Sequence, residues 1–242
     1  MIATATAHLS FSQLRTYCEC PRKWTYEKVQ HVAPERVPAS LAFGAAVHDA
    51  VEAVNLAAMA GERIDAGAAF STSWSGFTAK DAVPLAVDDD EADGLEAKGR
   101  ALAAIYQPPP GIVAVEQQIE VELDPVLPPL VGRVDIIRQI DTGLVVTDVK
   151  TSSTKVLSDT EMLAAQLGLY AIAYPAVRCE AAVLFKGKIP VQTTQVVEPW
   201  PEPRLRTWAV ELFDAMKVGV RFAHRGRNCR TCQYRDRCAA DD

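Results

Sequence analysis

Gly132–Lys150, GRVDIIRQIDTGLVVTDVK, decides how the rest of the chain is read. Two runs of alternating apolar residues flank a turn-forming Thr142-Gly143, which predicts a β-hairpin. Val134, Ile136 and Ile140 in the first run, with Val145 and Val149 in the second, take one face. Asp148 and Lys150 are two apart, so in a strand both side chains leave the other face. Asp135 joins them if the loop is the two residues Thr142-Gly143, which sets Asp135 opposite Lys150 and beside Asp148. A three-residue loop without a bulge would send Asp135 to the wrong face. Two carboxylates and an ammonium side by side form either a solvated surface with its own ion pair or a divalent-cation site. In the second case, oxygen ligands hold Mg²⁺ or Mn²⁺ and the lysine polarises an attacking water.

Working outward, IVAVEQQIEVEL (112–123) alternates as a strand, with Val115, Ile119, Val121 and Leu123 on one side and Glu116, Gln118, Glu120 and Glu122 on the other. QPPPG (107–111) is a rigid boundary before it. Residues 41–60 predict an alanine-rich helix packed through Val47, Val51 and Val54, with His48 beside that stripe and Glu52 one turn further on. His48 is either a buried structural histidine or a neutral imidazole ligand for a metal. Residues 62–105 look helical at both ends, around an acidic, solvated stretch. After Lys150, Ser158 and Glu161 form a candidate capping box for a helix through Tyr174, on which Gln166 and Tyr170 share a face. AAVLFKGKIP then reads as a strand with Lys186 and Lys188 on one side, and 203–222 as an amphipathic helix. Near the start, Ser10 or Ser12 can cap a short helix facing Leu14 and Tyr17 inward, and Pro21 interrupts it. Trp24 and Tyr26 read as packing residues.

The 242 residues suffice for one large domain, and 49% apolar content with 23% charged fits a folded soluble protein. No basic-then-apolar leader and no long apolar run is present, so an intracellular (cytoplasmic) protein without membrane contact is expected. The net charge of −6 does not advertise a polyanion partner, but it is unevenly spread. Asp81, Asp88, Asp89, Asp90, Glu91, Asp93 and Glu96 crowd one stretch, whereas residues 201–238 hold nine Lys/Arg against four acids. A polyanion would be drawn to the C-terminal part and repelled by the acidic one.

Of six cysteines, Cys229, Cys232 and Cys238 have C-x2-C-x5-C spacing, which signals a metal centre lacking one ligand. Cys20, with Cys18 as competitor, can supply the fourth thiolate. The spacing alone does not choose between Zn²⁺ and iron–sulfur.

In order along the chain, SFSQLRTYCECP, GAAVH, GRVD, DVK, QLGLY and C-x2-C-x5-C together resemble the RecB-like branch of the PD-(D/E)XK nuclease superfamily. The resemblance is to versions with a four-cysteine iron–sulfur cluster, such as AddB-type nuclease domains and CRISPR-associated RecB-like exonucleases. It implies an α/β fold, a restriction-endonuclease-like core of mixed central sheet flanked by helices. A helical insertion at 62–105 and a metallocluster joining residues 8–29 to 220–238 complete one nuclease domain over 1–242, with its catalytic core at 111–190. It implies that His48, Asp135, Asp148 and the Val149 backbone carbonyl hold Mg²⁺ or Mn²⁺, with Glu116 as a candidate extra ligand. Lys150 would activate the water nucleophile, while Gln166 and Tyr170 order the site and contact substrate. Cys20, Cys229, Cys232 and Cys238 would hold [4Fe-4S], with Zn²⁺ as the alternative occupant. The expected activity is exonucleolytic hydrolysis of DNA in recombination or repair, and the rival reading is an inactive DNA-binding or assembly module. No proline precedes Asp135, and no P-loop is present to power unwinding, so any helicase partner is unidentified.

Overall fold

In the computed structural model, residues 8–86, 92–158 and 160–241 are described; Asp88, Asp89, Asp90 and Glu91 of the acidic run lie outside the described residues. The chain opens with β1 (Leu9–Ser10), α1 (Phe11–Glu19), α2 (Pro21–Trp24) and a π turn at Thr25–Val29. Ser10 caps α1 by accepting the Gln13 N–H, and Cys20 is extended (φ −163°), so Pro21 starts a new helix. Next come β2 (Val37–Pro38), α3 (Ala39–Met59), α4 (Ala66–Thr78), β3 (Leu85–Ala86) and α5 (Ala92–Ala104). The sheet strands β4 (Ile112–Val121), β5 (Leu130–Ile140) and β6 (Gly143–Ser152) follow, then α6 (Glu161–Ala173), β7 (Ala176–Phe185) and β8 (Val191–Val196). Helix α7 (Glu202–Lys217), a 3₁₀ turn at Arg227–Thr231 and α8 (Arg235–Ala240) end the chain.

The six-stranded sheet runs β1-β5-β6-β7-β8, with β4 on the other edge of β5. β4–β5, β5–β6 and β7–β8 are antiparallel; β1–β5 and β6–β7 are parallel, the latter joined by the α6 crossover. This is the mixed central sheet flanked by helices that the motifs imply. One face packs on α1, α6 and α7 through Leu14, Val146, Leu167, Val183 and Leu205. The other packs on α3, α4 and α5 through Val47, Phe70, Trp74, Leu102 and Leu184. The segment predicted as an insertion is therefore packed into this second core, through Phe70, Trp74, Leu102 and Ala103. Each such fully buried large side chain contributes roughly 1.5–3 kcal/mol. Among the described residues, no helix is long and apolar enough to cross a membrane.

Four local expectations change. The hairpin loop is Asp141-Thr142, because Ile140 pairs with Gly143. Gly143 has φ +140° there, and a Cβ on it would meet Val177 at 2.7 Å, so glycine closes the turn rather than forming its loop. The loop still holds two residues, but the register slides: Ile136 pairs with Thr147 rather than Val149, and the ladder ends there without reaching Asp135. Helix α6 is capped at Thr160 with no side-chain hydrogen bond, so the Ser158–Glu161 box does not form; Glu161 Oε2 instead accepts from Trp200 Nε1 and Arg204. Strand β7 stops at Phe185, leaving Lys186 and Lys188 in the following loop. Helix α7 stops at Lys217 rather than continuing to 222.

Candidate active site

The β5–β6 ladder joins Ile136–Ile140 to Gly143–Thr147 and goes no further. On the same edge of β5, β1 covers only Leu130 and Val131. Between these lies a gap at Gly132–Asp135, where side chains take over the backbone's hydrogen bonds. The Asp135 carboxylate accepts the Val149 N–H at 2.7 Å, and the Tyr170 hydroxyl donates to the Arg133 carbonyl at 2.6 Å.

Alternation also breaks at this gap. Val134 packs into the α6-side core while Ile136, two residues on, packs into the α3-side core. Across on β4, Ala114 and Ile119 both face the α6 side although they are an odd number apart. The pivot is Glu116, which the register sets opposite Asp135 and whose φ is +50°. A left-handed backbone at a non-glycine residue costs of order 1–3 kcal/mol and persists only where its surroundings impose it. The single parity expected for Val134 and Ile136 therefore fails, and its failure turns two strands at once about the acidic pair.

Helix α3 carries His48 to this pivot. Nitrogen and carboxylate oxygens of His48, Glu116 and Asp135 all lie within 4.8 Å of one another, with His48 Nδ1 3.7 Å from Asp135 Oδ2. Burial, and then the Asp148 charge, push the Asp135 carboxyl well above its usual range. Burial, and then Glu52, raise Glu116 as well, although Arg133 stands 3.6 Å away. Burial lowers His48, which keeps its imidazole neutral and able to donate a lone pair. A neutral imidazole and two carboxylates that resist ionising side by side form a donor set suited to a divalent cation such as Mg²⁺ or Mn²⁺.

Asp148 is not drawn into that group. It is 1% exposed, with Lys150 Nζ 2.6 Å from its Oδ2 but outside hydrogen-bond geometry. Lys150 also reaches Gln166 Oε1 at 3.5 Å, Gln166 Nε2 donates to the Tyr170 hydroxyl at 2.6 Å, and that hydroxyl bonds Arg133. Gln166 and Tyr170 thus brace the lysine of β6 against the backbone of β5 across the gap. The Val149 peptide meets the site from both directions, its N–H on Asp135 and a backbone hydrogen bond with His48.

The motif reading passed over Asn55, fully buried two helical turns beyond His48, whose Oδ1 accepts from Tyr106 at 2.9 Å. Burial pushes the Tyr106 hydroxyl up to about 12. A lone asparagine within the alanine-rich α3 was the available signal.

The thiols are arranged differently. Among the described residues no three of their sulfurs come within 4.8 Å of one another, so they are not drawn together as a cluster. Cys20, Cys229, Cys232 and Cys238 nevertheless line one cavity of about 40 Å³ together with Tyr26 and Tyr234, while Cys18 is exposed and Cys179 buried elsewhere. The Gly226 N–H donates to Cys229 Sγ at 3.4 Å, and a Tyr234 backbone hydrogen bond opposes the upward push of burial on Cys232.

A model of the PD-(D/E)XK nuclease superfamily matches residues 8–239. The chain belongs to this superfamily. Membership makes it a nuclease-fold protein of a class that uses divalent metals and implies DNA as substrate, and the His48–Glu116–Asp135 triad is where such a metal would fit in this PD-(D/E)XK chain. None of the curated proteins matches the sequence. Among solved structures, SSO0001 is 15% identical with a TM-score of 0.47, over 98% of this chain and 88% of that one. A protein of Eubacterium rectale provisionally named an exonuclease is 11% identical with a TM-score of 0.48, over 88% and 79% of the two chains.

Proposed function

We propose that this chain is a divalent-metal-dependent deoxyribonuclease of the RecB-like branch, acting as an exonuclease in DNA processing. The observation that carries the reading is the convergence of His48, Glu116 and Asp135 beside a lysine braced by Gln166 and Tyr170. When bound, Mg²⁺ or Mn²⁺ supplies Lewis-acid chemistry, polarising the scissile phosphate and acidifying water. His48, Glu116 and Asp135 hold the ion in this reading, and Asp148 and the Val149 carbonyl adjoin it. Lys150, kept between Asp148 and Gln166, orients the attacking water and offsets negative charge building on the phosphorus oxygens. Tyr170 fixes the Gln166 amide so that its oxygen faces the lysine.

The test is digestion of end-labelled linear and circular DNA by the purified protein with Mn²⁺, Mg²⁺ or chelator. Metal-dependent shortening of linear DNA with circles spared supports the reading. Cleaved circles would make the protein an endonuclease, and intact DNA in every lane would leave a non-catalytic module.

The same reading assigns [4Fe-4S] to Cys20, Cys229, Cys232 and Cys238. Its support is their shared cavity, the backbone N–H donors aimed at two of the sulfurs and the family resemblance. Anaerobically purified protein should be brown and hold iron and sulfide; colourless, zinc-loaded protein would replace the cluster with Zn²⁺.

A further inference from the structure

Cations are unequally free in this molecule. The C-terminal segment is the basic stretch of the sequence, yet Arg204 pairs with Glu161, Arg206 with Glu202, Lys217 with Asp214 and Arg237 with Asp241. Four of its nine Lys/Arg are thus paired, whereas Arg227, Arg230 and Arg235 are exposed and form no ion pair among the described residues. Three lysines beyond the ends of β6 and β7 are unpaired too, and they follow on the strands next to the centre. Lys155, Lys186 and Lys188 are exposed and have no carboxylate within ion-pair distance among the described residues.

Two of them are held in place. The Lys186 N–H donates to the Ser152 carbonyl at 2.8 Å, and its ammonium stands 5.7 Å from the centre of the Phe43 ring on α3. Lys155 lies in the loop after β6, which is laced to β8 by Thr193 and Gln195. Its ammonium is 5.8 Å from the Phe185 ring centre. That ring folds over Gly187, where a Cβ would meet it at 2.2 Å, so the loop needs glycine to seat it. Phe185 continues the α6-side face of β7 and Lys186 the opposite one, so the two ammoniums bracket the strand's end.

Their place relative to the catalytic lysine follows from register. Lys150 pairs with Val183, and Lys186 is three residues further along β7. At about 3.3 Å per residue along the strand and about 4.8 Å across, the two Cα atoms are roughly 11 Å apart. That is a reach of a few nucleotides at about 3.4 Å rise each. On the β4 side of the centre, Asp49 and Glu52 of α3 bear on Glu116, with Arg133 as the nearby cation. Three acids against one arginine make that side less favourable to a phosphate backbone than the β7 side.

We propose that Lys155, Lys186 and Lys188 form the track along which the phosphodiester backbone of one DNA strand runs from the centre over the end of β7. This rests on the nuclease reading for its substrate class. Phosphate contacts of this kind fix register without reading bases, so the track is sequence-independent.

The experiment measures Kd for an end-labelled single-stranded oligonucleotide across a salt series, in chelator, so that binding is read without cleavage. Each lost phosphate contact lowers the slope of log K against log salt by about 0.7 on single strands. Lys155→Gln/Lys186→Gln/Lys188→Gln should lose about 2 from the slope, whereas Arg227→Gln/Arg230→Gln/Arg235→Gln on the cysteine loop should lose less. Lys155→Arg/Lys186→Arg/Lys188→Arg, which retains the charges, should keep the wild-type slope. An unchanged slope in the lysine-to-glutamine triple overturns the track, as does a larger loss in the arginine triple. Absence of Mn²⁺-dependent cleavage by the wild type would instead sink the nuclease reading, and is scored separately.

Discussion

The two ends of the β5–β6 hairpin both hold buried charge, and they treat it in opposite ways. At the zipped end, Arg138 meets Glu180 of β7 at 2.6 Å, and Arg178 closes on the other oxygen of that carboxylate at 2.7 Å. Opposite charges are matched there, and the strands stay paired. At the splayed end, three acids meet two cations, Arg133 beside Glu116 and Lys150 beside Asp148, while Asp135 has none among the described residues, and Glu116 and Asp135 resist ionising. Around one hairpin, opposite charges are matched at one end, and acids outnumber cations at the other, where the proposed metal would bind.

The largest expected effect separates the ends by activity. Lys150→Ala should lower DNA cleavage per folded molecule by roughly 10²–10⁴-fold. Undiminished cleavage by the purified variant would remove the lysine from the chemistry. The reverse dissociation belongs to the zipped end. Arg138→Met leaves Glu180 with only the half-exposed Arg178 and should destabilise the fold by about 3 kcal/mol in urea unfolding. Its cleavage per folded molecule should stay near wild type, and a loss to match Lys150→Ala would erase the contrast.

Removing one of the unmatched acids should have a smaller effect of opposite sign. Asp135→Asn should stabilise the metal-free protein by on the order of 1 kcal/mol and abolish the rise in Tm on adding Mn²⁺. A variant that is less stable without metal would show that Asp135 is matched after all. The pH dependence follows from the raised carboxyl. Its folded-state pKa lies above the unfolded one, so its contribution to stability is fully present below the ordinary carboxylate range. That contribution is lost as pH rises through the raised value. Across that window the metal-free Tm should fall and the Mn²⁺-induced gain should grow; a flat gain would contradict the assignment. Smallest is Tyr170→Phe, which removes the bond to Arg133 and should cost about 1 kcal/mol, with cleavage reduced through a looser Lys150.

Much of this arrangement was legible in the residue order. His48 beside a valine stripe, the Asp148-Lys150 spacing and the i,i+4 pair Gln166/Tyr170 each needed only one element's periodicity. The Ser10 cap and the break at Pro21 were equally local. Glu116 was harder, because its role depends on a left-handed backbone that a glutamate does not announce, opposite a strand twenty residues away. The slip of the turn to Asp141-Thr142 is a difference of register, and both registers keep two loop residues. The pairing of four C-terminal cations escaped for another reason: composition counts charges but does not show which neighbours they meet. Arg204 is answered by Glu161 from a different helix.

The first and last parts of the described chain are laced by hydrogen bonds and an ion pair. The Tyr17 hydroxyl bonds the Val220 carbonyl, Tyr26 bonds Asp241, Arg36 pairs with Asp236, and Glu35 accepts the Arg237 N–H. Each contact spans 200 residues or more. These four contacts close the chain into a loop that contains the gap between β5 and β6, so a single backbone nick between Arg36 and Val220 would leave the two fragments joined across them.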